Sequence, residues 1–224
     1  MEKEKFVPEI KSELRSGMVK VPEVIYKASG INFLGRRIKS ILFSTDVALI
    51  KNNNANSIIA VYPFTPQLSI IQSIIDVAPV PVFAGVGGGL TTGKRSIAIA
   101  LQAELLGAYG VVVNAPTKVD VIEEMNKTID IPIIATVVTS GDNYKAKIEA
   151  GARVLNVSGG ANTVKIVKQI RSELGREFPI IATGGPTDET ILETIEAGAN
   201  AITYTPPSSA EIFAQVMKKY RNEL

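Results

Sequence analysis

Apolar residues in this chain come in short runs at regular intervals, and three of the runs open alike. VPVFAG starts at Val80, IPIIAT at Ile131 and FPIIAT at Phe178, with prolines at Pro81, Pro132 and Pro179. A proline at the first position of a β-rich run removes no ladder bond, so each run reads as the start of a strand. Between them a second unit recurs, a helix ending in Gly-Ala that leads into another strand: LLGAYGVVVN, IEAGARVLNVS and IEAGANAITYT. Gly107, Gly151 and Gly198 suit the left-handed residue that closes a helix. Upstream, IKSILFS and SIIAVY supply two more strands.

The pattern predicts eight strands, near 38–44, 57–62, 80–84, 110–113, 131–135, 153–157, 179–182 and 200–204, each followed by a helix. A β-α-β-α unit repeating about every 50 residues marks a parallel sheet with helical crossovers. The strands are apolar along almost their whole length, so both faces are buried. The fold class is therefore α/β: a single-domain (β/α)8 TIM barrel over residues 38–224, with an open doubly wound sheet as the alternative. Residues 1–37 are expected to form a short helical N-terminal extension over one barrel end. Pro8 and Pro22 would stand in first helical turns and Gly30 would close a helix.

Composition narrows the chemistry. The 224 residues are 46 % apolar and 21 % charged, with a net charge of +2, no cysteine and no histidine. Disulfides, thiolate nucleophiles, Ser-His triads and imidazole metal sites are excluded. The small charge and the lack of a basic run give no expectation of a nucleic-acid partner. No apolar stretch reaches the roughly 18 residues that span a bilayer. The charged N-terminus MEKEKFVPEIKSELRSG lacks a secretory core, so a cytoplasmic location is expected. A homo-oligomer is compatible with all of this.

One stretch looks like a nucleotide grip. From Gly88, GGLTTGKRS almost spells the P-loop, but Arg95 stands where the hydroxyl belongs and Ser96 comes one place late. Its preceding strand is the third of a barrel, not part of an open sheet, which leaves a glycine-rich rim whose amides, Lys94 or Arg95 could approach an anion.

Barrel enzymes work at the C-terminal ends of their strands. Those ends carry the pocket candidates Ser44, Tyr62, Gly87, Asn114, Thr136, Asn156 and Thr183, an almost uncharged set. Asp46 is the one carboxylate among them; with Lys94 it is the candidate for proton transfer, though it could equally cap the first helix. The sixth, seventh and eighth strands run into SGGANT, TGGPTDE and TPPSSAE. Gly159, Gly160, Gly184 and Gly185 permit positive φ and expose amide N–H groups, and Ser158 and Thr205 add hydroxyls. These six residues are the candidate phosphate site, since barrels commonly hold phosphate after their last strands.

The segment PIIATGGPTDETILETIEAGANAITYTPPSS resembles the last quarter of the phosphate-binding TIM barrels, and Val80–Pro207 is most similar to the nitronate monooxygenase group. That resemblance implies FMN phosphate at Gly159-Gly160 and Gly184-Gly185. The chain departs from the group at Ala161-Asn162, where the group has a histidine, and at Thr205-Pro206-Pro207, so the group's catalytic assignment does not carry over. The expected function is an enzyme acting on a small phosphorylated metabolite, its class open among isomerase, lyase and hydrolase. The alternatives are an FMN-dependent oxidoreductase and a metabolite sensor similar to the glycerol antiterminator regulatory proteins.

Overall fold

The three repeated prolines stand just ahead of strands and use the one backbone hydrogen-bonding group that proline has. Their carbonyls accept from the N–H of Ile58, Val111 and Leu155 on the preceding strands, at 2.9, 3.0 and 3.2 Å. In a computed structural model, which describes residues 8–222, eight parallel strands are stitched in this way into a closed barrel. After a two-stranded hairpin of β1 (Ile31–Phe33) and β2 (Arg36–Ile38), the barrel strands are β3 (Ser40–Phe43), β4 (Ser57–Ala60), β5 (Val82–Gly87), β6 (Gly110–Val113), β7 (Ile133–Val137), β8 (Ala152–Val157), β9 (Ile180–Thr183) and β10 (Ala201–Tyr204). Each pairs with its successor and β10 closes on β3, so the eight strands read from the sequence form the expected TIM barrel.

Helices α1 (Val47–Lys51), α2 (Leu68–Val77), α3 (Lys94–Leu105), α4 (Val119–Thr128), α5 (Tyr144–Glu149), α6 (Thr163–Leu174), α7 (Asp188–Glu196) and α8 (Ser209–Asn222) follow the strands in turn. Gly107, Gly151 and Gly198 have φ of +98°, +115° and +113°, the left-handed conformation expected after α3, α5 and α7. Among the described residues no helix is long and apolar enough to cross a membrane.

The N-terminal extension departs from expectation. Among the described residues it is helical only in two short 3-10 turns, Glu13–Arg15 and Glu23–Lys27; Pro8 lies outside both, and Pro22 directly precedes the second. Residues 1–7 lie outside the described residues. The last part of the extension is the β1–β2 hairpin, turned through Leu34 (φ +47°) and Gly35 (φ +83°), two left-handed residues as a two-residue hairpin turn requires. Gly30, at φ +84°, therefore leads into a strand rather than closing a helix.

Two apolar shells hold the fold. The outer shell lies between strands and helices, and includes Leu42, Ile58, Val111, Leu155, Ile166 and Ile191. The inner shell fills the barrel with Ile41, Ile59, Phe83, Val112, Ile134, Val154, Ile181 and Ala201, and the hairpin adds Ile31, Phe33 and Ile38 to it. Phe33 and Phe83 meet at 4.7 Å between ring centroids, so the hairpin stops the N-terminal end of the barrel with an aromatic contact.

Candidate functional site

Side chains along a strand alternate between its faces, so the residue two places beyond an inner-shell residue points inward one layer nearer the mouth. Stepping from Val112, Ile134, Val154, Ile181 and Ala201 reaches Asn114, Thr136, Asn156, Thr183 and Thr203. The barrel interior thus turns from aliphatic to amide and hydroxyl within one layer, on five consecutive strands or their ends. A cavity of about 270 Å³ sits above it. Phe43, Ile59 and Val61 wall one side, and Asn114, Thr136, Asn156, Ser158, Thr183, Thr203 and Thr205 wall the other. Among the described residues no ionisable side chain lines it.

This polar wall is only partly satisfied from within. Asn156 Nδ2 donates to Thr136 Oγ1 at 3.5 Å, and Thr183 Oγ1 donates to Ser158 Oγ at 3.4 Å. Asn156 and Thr203 are 9 % and 6 % exposed, yet Asn156 Oδ1 and Thr203 Oγ1 have no hydrogen-bond partner among the described residues. An orphaned buried polar atom costs about 1–3 kcal/mol, and here both residues border one cavity.

The glycine pairs divide by role. Gly159 N–H donates to Thr163 Oγ1 at 3.1 Å and Gly184 N–H to the Thr203 carbonyl at 3.4 Å, so both are already engaged inside the fold. A side chain on Gly184 would sit 2.7 Å from Ile202 Cγ2, which explains that glycine by packing. Gly160 and Gly185, at φ of +57° and +84°, have amides that no group in the described fold accepts from. Beyond Thr183, Thr203 and Thr205 the mouth continues into a broader cleft bordered by Gly185, Pro206, Pro207 and Glu211.

The two expected proton-transfer residues do not converge on this cavity. Asp46 caps α1: Oδ1 accepts from Ala48 N–H at 2.8 Å and Leu49 N–H at 3.3 Å, and Oδ2 accepts from Ser209 Oγ at the start of α8. The Ser209 hydroxyl and the two amides hold its carboxyl below the usual range, against the opposing effect of burial. It is a latch between α1 and α8, the capping role that the sequence left open. Lys94, the first residue of α3, is exposed and lines none of these cavities. Ser44 accepts from Asp46 N–H at 3.1 Å and does not line the cavity.

Tyr62 and Gly87 line a separate cleft at the side of the mouth. The P-loop likeness fails in detail, because Ser96 is buried and its hydroxyl donates to the Thr91 carbonyl at 2.9 Å. Sequence reasoning missed Lys147. Its side chain lies buried in α5 and Nζ donates to the carbonyls of Ala115 and Thr136, at 2.8 and 3.1 Å, tying together the ends of β6 and β7. Burial lowers its pKa, partly offset by Asp142. In YKAKIEA nothing distinguishes Lys147 from the exposed Lys145.

Among the described residues no three Asp or Glu side chains gather as a metal site. Of the four glycine amides that the resemblance places at an FMN phosphate, those of Gly159 and Gly184 already donate within the protein, which leaves Gly160 and Gly185.

No family model matches the chain, and no curated protein matches it. Solved structures do. A phosphoenolpyruvate phosphomutase from Streptomyces platensis subsp. rosaceus is similar at a TM-score of 0.59 and 13 % identity, over 81 % of this chain and 80 % of that one. A phosphonopyruvate hydrolase in complex with oxalate and Mg2+ is similar at 0.60 and 14 %, over 83 % and 80 %. A singly substituted mandelate oxidase with 2-hydroxy-phenylacetamide is similar at 0.62 and 14 %, over 80 % and 68 %. None of the three is a nitronate monooxygenase. At these identities the likeness is one of fold, a TIM barrel.

Proposed function

We propose that this barrel binds a small metabolite carrying a phosphoryl or phosphonate group, with the polar body of the ligand in the mouth and its anionic end at the loops after β8, β9 and β10. One observation carries the reading: on the strand ends and loops after β8, β9 and β10, several donors have no partner among the described residues. They are the amides of Gly160 and Gly185 and the orphaned hydroxyl of Thr203, with the Ser158 and Thr205 hydroxyls beside them. Amides at positive φ and hydroxyls form an anion cradle without any cation. The phosphomutase and the phosphonopyruvate hydrolase, named for phosphoenolpyruvate and phosphonopyruvate, are consistent with such a ligand.

The mouth supplies orientation and hydrogen-bond donation rather than an acid–base pair. As an enzyme the protein would work by holding the anion and placing the reacting end over Asn114, Thr136 and Asn156. The same absence of ionisable lining favours a second reading, a metabolite sensor that binds without turnover. Calorimetric titration with methylphosphonate tests the binding claim. Saturable binding weakened at least fivefold in Thr203→Val supports it, and an unchanged affinity in that variant contradicts it. Product analysis by phosphorus NMR with phosphonopyruvate then separates enzyme from sensor.

A further inference from the structure

Beside the mouth lies a second cavity, of about 280 Å³, between the loop after β4 and the glycine-rich loop after β5. Aromatic, proline and leucine side chains (Tyr62, Pro63, Phe64, Pro66 and Leu90) line it together with Thr65, Thr91 and Asn114, and among the described residues no charged residue borders it.

The cleft is built rather than incidental. Thr91 Oγ1 donates to Thr65 Oγ1 at 3.0 Å, strapping the two loops together. Tyr62 OH accepts from Gln67 N–H at 2.8 Å, which pins the ring as a wall. Pro63 and Pro66 stiffen the segment between them by fixing φ. Gly87 and Gly88, at φ of +122° and +114°, turn the opposite loop, and Gly88 N–H donates to the Thr91 carbonyl at 2.8 Å. At the rim Phe64 and Leu90 remain 75 % and 99 % exposed, a large apolar area that the fold itself does not cover.

Two residues, Val61 and Asn114, wall both this cleft and the mouth. Gly85, which also lines the cleft, has no side chain to stand between them. Taken singly, each cavity falls just below the roughly 300 Å³ at which small-molecule sites begin. Adjacent across Val61 and Asn114, the two together offer the room of a site of ordinary size, with hydroxyl and amide side chains concentrated in the mouth and aromatic and proline rings in the cleft.

We infer that the ligand has two parts, an oxyanion group held at the mouth and an aryl or branched-alkyl arm that occupies the cleft between Tyr62 and Leu90. This rests on the anion-binding reading of the mouth and narrows it from any small phosphorylated or phosphonate metabolite to one with an apolar substituent. Phe64 and Leu90 act as specificity-determining residues that close over the arm. Their exposure in the free protein makes them safe to truncate without loss of fold.

The test compares methylphosphonate, benzylphosphonate and benzyl alcohol against the wild type and the double variant Phe64→Ala/Leu90→Ala. The wild type should bind benzylphosphonate at least tenfold tighter than methylphosphonate. The double variant should reduce that preference below threefold while leaving the methylphosphonate affinity within twofold of wild type. Equal affinities in the wild type, or a preference that survives the double substitution, would overturn the inference. If neither phosphonate binds, the anion reading itself fails and benzyl alcohol decides the arm alone. Saturable binding abolished in the double variant upholds it, and no binding overturns it.

Discussion

The two ends of this barrel are built from the same strands with the same alternation, and they are opposite in chemistry. At the N-terminal end the inward layer is Ile41, Phe83, Ile134 and Ile181, closed from below by Ile31, Phe33 and Ile38 of the hairpin. At the C-terminal end the corresponding wall is Thr136, Asn156, Thr183 and Thr203, with no cover and two buried polar atoms unpaired. The first end is aliphatic and aromatic apart from Ser57 at the start of β4, whose buried hydroxyl is likewise unpaired. The second leaves hydrogen-bonding capacity unused, which lowers stability unless a ligand completes it. Stability and recognition are thereby separated along the barrel axis.

The sharpest way to break this comparison is to attack the closed end. Phe83 is fully buried against Phe33, so Phe83→Ala should cost about 3–5 kcal/mol in urea unfolding. Its effect on methylphosphonate affinity in the folded fraction should be small. A loss of affinity as large as the loss of stability would show that the two ends are not independent.

Lys147→Met comes next. Removing the ammonium takes a donor from the carbonyls of Ala115, just after β6, and of the mouth residue Thr136, at an expected cost of about 1–3 kcal/mol. Lys147→Arg should recover part of the ligand affinity if positioning is the role, and no recovery would reduce the residue to packing.

A smaller, pH-dependent effect is expected at Asp46. Asp46→Ala should destabilise by about 1 kcal/mol, the usual worth of an N-cap. Because the folded-state pKa is lowered, the carboxylate's contribution is fully present above the unfolded value of about 3.9 and is lost as pH falls through the lower folded value. Wild type and variant should therefore converge in stability in strongly acidic urea titrations. A difference that stayed constant down to the lowest pH would exclude the ionised cap.

The smallest stability change belongs to the open end. Thr203→Val replaces an orphaned hydroxyl with a methyl of similar shape and should be neutral or slightly stabilising, within about 1 kcal/mol. Ligand affinity should fall nonetheless, the reverse of the expectation for Phe83→Ala.

The barrel was legible in the chain because its signals are local and repeated: the strand-opening prolines at Pro81, Pro132 and Pro179, and the left-handed glycines at Gly107, Gly151 and Gly198. The hairpin was not, because its strands are three residues each and its turn uses Leu34-Gly35, without the asparagine or aspartate that usually announces such a turn. The polar ring of Asn114, Thr136, Asn156 and Thr183 could be read from strand ends and alternation. Which amides are free could not. Gly159 and Gly160 are neighbours in sequence, and only the position of Thr163 Oγ1 decides that one donates inward and the other is left free. The side cleft was equally hidden, since Thr65 and Thr91 meet across 26 residues of chain.

The most direct test of the central claim is an amide NMR titration with methylphosphonate. If the unpartnered donors at the open end are the anion site, the Gly160 and Gly185 N–H protons should move downfield together with one saturation curve, while Gly159 and Gly184, bonded inside the fold, shift less. Saturable binding that leaves Gly160 and Gly185 unmoved, or that shifts residues of the β1–β2 hairpin instead, would contradict it.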